Sequence, residues 1–296
     1  MSGIKIEVNI IEKITTVKEM QRHSDQLRYQ GRSIALVPTM GFLHEGHLSL
    51  IRKGRTLCDD LVVSIFINPT QFGPGEDLEA YPRDLSRDIY LLKKEYVDVL
   101  FLPDAEELYT EGFQTYVELE KLPKHLCGLS RPTHFKGVST VVTKLFNAVK
   151  PHFAIFGQKD YQQLIIIKRM VIDLNFDTEI IEFPIVRETD GLALSSRNAH
   201  LTDEQRPAAL TLFKSLKKAE ELVENGINDP ATIIDAASNL ILSYPETSID
   251  YIKICDTKTL EEMVIIDREA LMAIAVKVGK TRLIDNMMLH PLSEPV

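Results

Sequence analysis

Two histidines, His44 and His47, stand on either side of Glu45 and Gly46 in the stretch PTMGFLHEGH, residues 38–47. An apolar run precedes them and a helical period follows, so the segment reads as strand, glycine turn and helix start. A helix N-terminus offers unpaired N–H groups and about half a positive charge, which attracts phosphate. Gly41 and Gly46 carry no Cβ, so a ligand or a second backbone can approach closely. Imidazole N–H groups at that end can bind phosphate oxygens and steady charge developing on phosphorus or on a departing pyrophosphate. Zinc is the poorer reading, because no carboxylate or cysteine cluster accompanies the pair. Ordinary surface histidines are the plain alternative. The strand–turn–helix setting favours phosphate chemistry over it.

Three other stretches carry chemistry-bearing residues. INPTQFGPGEDLEAYPRD, residues 67–84, follows an apolar strand and holds the neutral amides of Asn68 and Gln71. Such amides hold a hydroxyl or carboxylate without charge repulsion. For Asn68 plain turn chemistry is the better reading, and for Gln71 the two readings balance. FGQKDYQQL, residues 156–164, repeats the strand–glycine–helix arrangement and sets Lys159 at a helix start. A lysine there opposes the helix dipole unless an anion binds beside it. Asp160 suits a helix cap, and Gln163 lies about one turn later. VRETDGLALSSRN, residues 186–198, places two hydroxyls and a guanidinium after a Thr-Asp-Gly turn. That is a phosphate-binding set, or simply a cap and a surface arginine.

The elements that must position these residues alternate. Helices are expected over residues 16–30, 47–57, 84–95, 138–149 and 160–174. Apolar strands are expected over 33–37, 61–67, 97–102, 152–156 and 178–186. This order implies right-handed βαβ crossovers, and strands apolar along their whole length fit a sheet covered on both faces. Past residue 198 two helical stretches, 202–225 and 231–242, precede strands at 249–255, 271–278 and 281–285. The fold expected is α/β: a Rossmann-like parallel sheet with helices on both faces over residues 1–186, and a smaller α+β C-terminal domain over 187–296.

Composition narrows the partners. Thirty-four Lys+Arg against forty-three Asp+Glu give a net charge of −9, which argues against nucleic acid. Three scattered cysteines, Cys58, Cys127 and Cys255, form no CxxC pair and suit a reducing cytosol. The N-terminal stretch MSGIKIEVNIIEKI carries charges inside its apolar run and does not read as a secretory signal. No apolar segment approaches the ~18 residues of a membrane span. A cytoplasmic protein is expected.

The His44–His47 setting resembles the HxGH motif of nucleotidylyl-transferring α/β enzymes, the class that includes class I aminoacyl-tRNA synthetases. All four stretches in this order, PTMGxLHxGH, NPTQFGPxEDLxxYPR, FGxKDYQQ and VRExDGLAxSSRN, closely resemble the pantoate–β-alanine ligase family, as does SRPTHFKGVSTVVTKLFN at residues 130–147. The resemblance implies ATP-dependent condensation of (R)-pantoate with β-alanine through a pantoyl adenylate, releasing AMP and pyrophosphate. It implies ATP contacts at Met40, Gly41, Phe42, Leu43, His44, Glu45, Gly46, His47, Gly157, Gln158, Lys159, Asp160, Val186, Leu194, Ser195, Ser196 and Arg197. His44, His47 and Lys159 would be catalytic, with His47 in the family's proton-donor place. Gln71 and Gln163 would hold pantoate, and Gln71 would also meet β-alanine. Magnesium would accompany the ATP phosphates, with no dedicated protein cage. A homodimer through the larger domain and a lid role for the smaller one are further implications. The other readings are a one-step nucleotidyltransferase such as a phosphopantetheine adenylyltransferase, a tRNA-charging enzyme, and a non-catalytic nucleotide-binding regulator. Gln71 and Gln163 argue against the first, the acidic charge against the second, and the intact histidine, lysine and Ser-Ser-Arg set against the third.

Overall fold

The computed structural model describes residues 10–76 and 78–292, so residues 1–9 of the N-terminal stretch read above lie outside it. In chain order the elements are β1 (Glu12–Ile14), α1 (Val17–Tyr29), β2 (Ile34–Thr39), α2 (Glu45–Arg55), β3 (Asp60–Ile65), α3 (Leu85–Lys94), β4 (Val99–Phe101), α4 (Ala105–Leu108), α5 (Cys127–Ser130), α6 (His134–Val149), β5 (Phe153–Gly157), α7 (Tyr161–Asp173) and β6 (Glu179–Phe183). Then come α8 (Arg206–Glu224), α9 (Pro230–Ile241), β7 (Thr247–Asp256), β8 (Ala270–Val278) and β9 (Thr281–Leu289). The chain divides into two compact units. Among the described residues, one comprises 10–118, 133–157 and 167–183; the other comprises 119–132, 158–166 and 184–292.

The first unit is built on a six-stranded parallel sheet in the order β1-β4-β3-β2-β5-β6. Side chains alternate along a strand, so each strand serves two faces. Ala35 and Val37 of β2 join Leu48 and Ile51 of α2 and Leu92 of α3 in one core. Ile34 and Leu36 point to the opposite face and are equally inaccessible, with α1 and α6 packed against β2. The expected layering of helices on both faces is what the chain forms.

Strand order reverses between β2 and β5, because the chain runs from β2 outward through β3 to β4 and then returns to β5. Ligands bind in the crevice at the carboxyl ends of strands at such a switch point. Pro38 sits inside β2, one residue beyond where the sequence reading ended the strand. Its missing N–H is tolerated for a geometric reason. The Thr39 carbonyl faces β3, accepting from Phe66 N–H at 3.0 Å, so Pro38 faces the β5 side. Pairing of β2 with β5 has already ended at Leu36↔Ala154. The strands have parted there, and the turn after β2 emerges at the gap.

The second unit carries the antiparallel sheet β7-β8-β9, with α8 and α9 packed on it. Leu212, Leu216, Ile233, Ile241, Ile274 and Val276 belong to its core. β9 runs four residues further than the sequence reading, to Leu289. Asp285 ends the expected strand and Asn286 opens the extension; these two polar residues are 3% and 7% exposed. They read as a strand end in sequence, but a buried polar pair is stable inside a sheet when its hydrogen bonds are made.

Ile51 is fully buried where α2 packs on the parallel sheet. Ile51→Ala is expected to lower unfolding stability by about 2–5 kcal/mol through lost burial and a residual cavity. Urea denaturation with linear extrapolation checks this; a change below about 1 kcal/mol would contradict the packing described.

Candidate active site

The turn between β2 and α2 is held by hydrogen bonds with α3. Gly41 (φ 82°) and Phe42 (φ 50°) both take left-handed backbone, which is costly for a residue with a side chain. Asp88 of α3 holds that conformation. Its Oδ2 accepts from Phe42 N–H at 2.8 Å and its Oδ1 from Leu43 N–H at 2.7 Å. Arg87, the preceding residue, donates to the Leu43 carbonyl at 2.8 Å. Asp88 is only 1% exposed, and burial pushes its carboxyl above the ordinary range while the two N–H bonds and Arg87 pull it down. Gly41 is required at its position, since a Cβ would come within 3.1 Å of both Asp88 Oδ2 and Ile65.

With the backbone pinned, α2 starts at Glu45, two residues earlier than expected, and His44 is its N-cap. The His44 N–H donates to His47 Nδ1 at 3.3 Å, and the two rings lie 4.1 Å apart. This is the back half of a capping box, with a histidine in the place usually held by glutamate. An accepting Nδ1 assigns the ring proton of neutral His47 to Nε2.

Gln71 belongs to the same unit and ends a 3₁₀ turn, Pro69–Gln71, that follows β3. Its amide is oriented from several sides. Asn68 Nδ2 donates to Gln71 Oε1 at 3.1 Å and to the Gly137 carbonyl at 3.1 Å. Asn68 Oδ1 accepts from the Tyr109 hydroxyl at 2.8 Å and from Thr70 Oγ1 at 2.9 Å. Gln71 Nε2 reaches Met40 Sδ at 3.1 Å, so the amide adjoins the histidine turn. His134 Nδ1 lies 2.8 Å from the Gln71 carbonyl, which places the neutral ring's proton on Nδ1. Gly137 of α6 makes room for all of this: a Cβ there would meet the Thr70 carbonyl oxygen at 2.4 Å and Gln71 N at 2.6 Å.

In the second unit, Gln158–Asp160 form a 3₁₀ turn that leads into α7. Asn286 Nδ2 donates to the Gln158 and Lys159 carbonyls, both at 3.0 Å. Gln163 is half-buried in the first turn of α7. Its neighbour Gln162 is buried and fully engaged, donating to the Leu122 and His125 carbonyls and accepting from Cys127 N–H. Of the two consecutive glutamines, Gln162 therefore serves the fold. Val186 and Leu194 are brought together, with Leu194 N–H donating to the Val186 carbonyl at 3.0 Å. Ser195 caps the 3₁₀ turn Ser196–His200, its Oγ accepting from Arg197 N–H at 3.3 Å. Asn198 ties this loop down by donating to Glu188 Oε1 at 2.9 Å and to the Ala193 carbonyl at 3.1 Å.

The residues named from sequence thus fall in both units: Met40, Gly41, Phe42, Leu43, His44, Glu45, Gly46, His47, Gln71 and Gly157 in the first, the others in the second. The family model for pantoate–β-alanine ligase matches residues 12–288.

The chain belongs to the pantoate–β-alanine ligase family.

It is an ATP-dependent ligase that joins pantoate to β-alanine. A pantothenate synthetase of Desulfatibacillum aliphaticivorans is 58% identical over 281 residues, 95% of this chain and 100% of the relative. One of Thermotoga neapolitana is 56% identical over 276 residues, 93% of this chain and 99% of the relative. Among solved structures, pantothenate synthetase from Thermus thermophilus matches with a TM-score of 0.89 at 42% identity, covering 95% of this chain and 100% of that one. The Francisella tularensis ligase, complexed with β,γ-ATP and β-alanine, matches with a TM-score of 0.79 at 34% identity over 94% and 98%.

The sequence reading of this ligase missed Asp88, His134 and Asn286, and gave Asn68 its turn-capping role, which it has, without its hold on Gln71. Asn68 looked like turn chemistry because Asn-Pro is a common turn dipeptide; the signal overlooked was its place beside Gln71, directly after a buried strand. Two expectations follow. Asp88→Ala leaves two N–H groups in a buried turn without their acceptor, and is expected to lower stability by about 1–3 kcal/mol and to raise the KM for ATP. Unchanged stability and KM together would contradict the clamp. Gly137→Ala is expected to lower unfolding stability by about 1–3 kcal/mol by overpacking the Gln71 turn, and wild-type stability would sink that reading.

Proposed function

We propose that the ligase runs in two steps on the residues described, and that the turn at the start of α2 carries the first. In that step the pantoate carboxylate attacks the α-phosphorus of ATP, forming the acyl adenylate and releasing pyrophosphate. In the second, the β-alanine amine attacks the acyl carbon, giving the amide and AMP. The supporting observation is the pinned turn Met40, Gly41, Phe42, Leu43, His44, which sets a helix N-terminus and two histidines at the sheet's switch point.

In this reading residues 40–47 receive the ATP phosphates. His47 donates its Nε2–H to a phosphate oxygen and keeps its proton. Losing that proton while Nδ1 accepts from the backbone would leave an imidazolate, which is far too basic for the site. His44 and Lys159 neutralise the phosphates, and Asp160 meets the ribose. Val186 contacts adenine through its backbone. Leu194, Ser195, Ser196 and Arg197 form a second phosphate loop. Gln71 and Gln163 orient pantoate, and Gln71 also faces β-alanine. Neutral amides suit that task, since an anionic side chain would repel the pantoate carboxylate. The protein's part is positioning and charge stabilisation, with no covalent enzyme intermediate.

Magnesium would enter on the ATP phosphates, whose oxygens supply its ligands. Among the described residues no three His, Cys, Asp or Glu side chains group as a metal site. We also assign the ligase to the cytoplasm and to a homodimer. No helix among the described residues is long and apolar enough to cross a membrane. Sedimentation at micromolar concentration tests the dimer.

Pantoate-dependent exchange of labelled pyrophosphate into ATP isolates the first step. Exchange is expected with pantoate alone, with AMP released only after β-alanine is added. Absence of pantoate-dependent exchange would defeat the two-step reading, and exchange without β-alanine-dependent AMP would point to another amine acceptor. His47→Ala and Lys159→Ala are each expected to cut exchange on the order of 100-fold while leaving the melting temperature near that of the parent. Near-normal exchange in either variant would remove that residue from the phosphate site.

A further inference from the structure

β9 of the second unit carries Asp285 and Asn286 side by side, both buried. The Asn286 amide donates at once to two consecutive carbonyls, those of Gln158 and Lys159, each at 3.0 Å. In a planar trans peptide the N–H points opposite the carbonyl. Drawing the Gln158 and Lys159 carbonyls toward β9 therefore turns the N–H groups of Lys159 and Asp160 the other way. Both then point away from β9 at the start of α7, where a helix N-terminus already favours an anion.

Asn286 is itself held in place. Its backbone N–H donates to Asp285 Oδ1 at 2.8 Å. The same Asp285 carboxylate takes both guanidinium arms of Arg187, at 2.6 and 2.9 Å. Arg187 also donates to the Gly191 carbonyl at 3.1 Å and bridges to Ala193, and its guanidinium lies 4.4 Å from the Phe213 ring. A bidentate arginine–carboxylate pair is rigid in geometry as well as strong. The strand register at Asn286 is thereby locked to the segment that runs on into Ser195, Ser196 and Arg197.

We propose that Asn286 is a positioning residue for the first step, aiming the Lys159 ammonium and the Lys159 and Asp160 N–H groups at the ATP phosphates. The inference rests on the phosphate role given to Lys159 above. Asn286 touches no substrate and acts only through the turn.

The test is a double-mutant cycle on pantoate-dependent pyrophosphate exchange, using the full chain as parent, Asn286→Ala, Lys159→Ala and both together. Asn286→Ala is expected to slow exchange about 10–100-fold, by analogy with removal of a hydrogen-bond partner that orients a metal ligand. In the Lys159→Ala background the same change is expected to cost less than about threefold, because residues acting through one another are not additive. Asn286→Asp keeps the size but offers acceptors to two carbonyls, and should lose at least as much as alanine. Normal exchange in Asn286→Ala with impaired Lys159→Ala overturns this inference alone. An equal loss in both backgrounds also overturns it, since Asn286 would then act independently of Lys159. Normal exchange in Lys159→Ala removes the role on which it rests. Asn286→Ser carries the same expectation as alanine, and failure of both variants to fold would assign Asn286 to the fold and overturn the positioning role.

Discussion

Two hydrogen bonds accepted by one buried carboxylate decide whether the turn after β2 exists as a site. Left-handed backbone at Phe42 is unfavourable without external support, and the Asp88 carboxylate supplies it by taking the Phe42 and Leu43 N–H groups. Those groups lie in a buried turn, where an unmade hydrogen bond costs more than a made one contributes. Burying Asp88 carries its own desolvation cost, which is why its carboxyl stands above the ordinary range. The arrangement holds because both sides depend on it: the turn needs an acceptor, and the acceptor needs donors. α2 can then begin at Glu45 with its N–H groups and histidines presented at the sheet edge.

The same device recurs at the other turns. Each is held by a buried amide or carboxylate: Gln162 and Asn286 bond to backbone groups, and Asn68 to both backbone and side chains. Asn68 sets the Gln71 amide, Gln162 braces the 122–127 segment, and Asn286 fixes the carbonyls of Gln158 and Lys159. Backbone groups cannot be repositioned by a rotamer change, so a loop restrained through them keeps its shape when a charged ligand arrives. Positioning of this kind is what phosphoryl and acyl transfer need from a protein that supplies no covalent nucleophile.

Much of this was legible before the fold was known. The alternation of apolar strands with helices pointed to the parallel sheet, because that periodicity is local and the central strands are covered on both faces. The glycine turns at 41–46 and 157–160 were legible because glycine, histidine and lysine at helix starts carry their chemistry in their residue type. What stayed hidden was the support. Asp88 sits in the first turn of an amphipathic helix, where an acidic residue is ordinary; only tertiary packing turns it inward. Asp285 and Asn286 looked like the end of a strand, since nothing local says that Arg187 and the 158–159 carbonyls are waiting. α6 begins four residues before its apolar run, at His134, because its first turn packs on the Gln71 segment. Long-range partners of polar residues leave almost no trace in hydrophobic periodicity.

Whether this ligase passes through an acyl adenylate is tested most directly with pantoate carrying heavy oxygen in its carboxylate. If that carboxylate attacks the α-phosphorus, one labelled oxygen must leave with the nucleotide when β-alanine takes the acyl group. The account predicts one heavy oxygen in AMP and one retained in the amide product, in equal amounts with turnover. Unlabelled AMP from a complete turnover would contradict it.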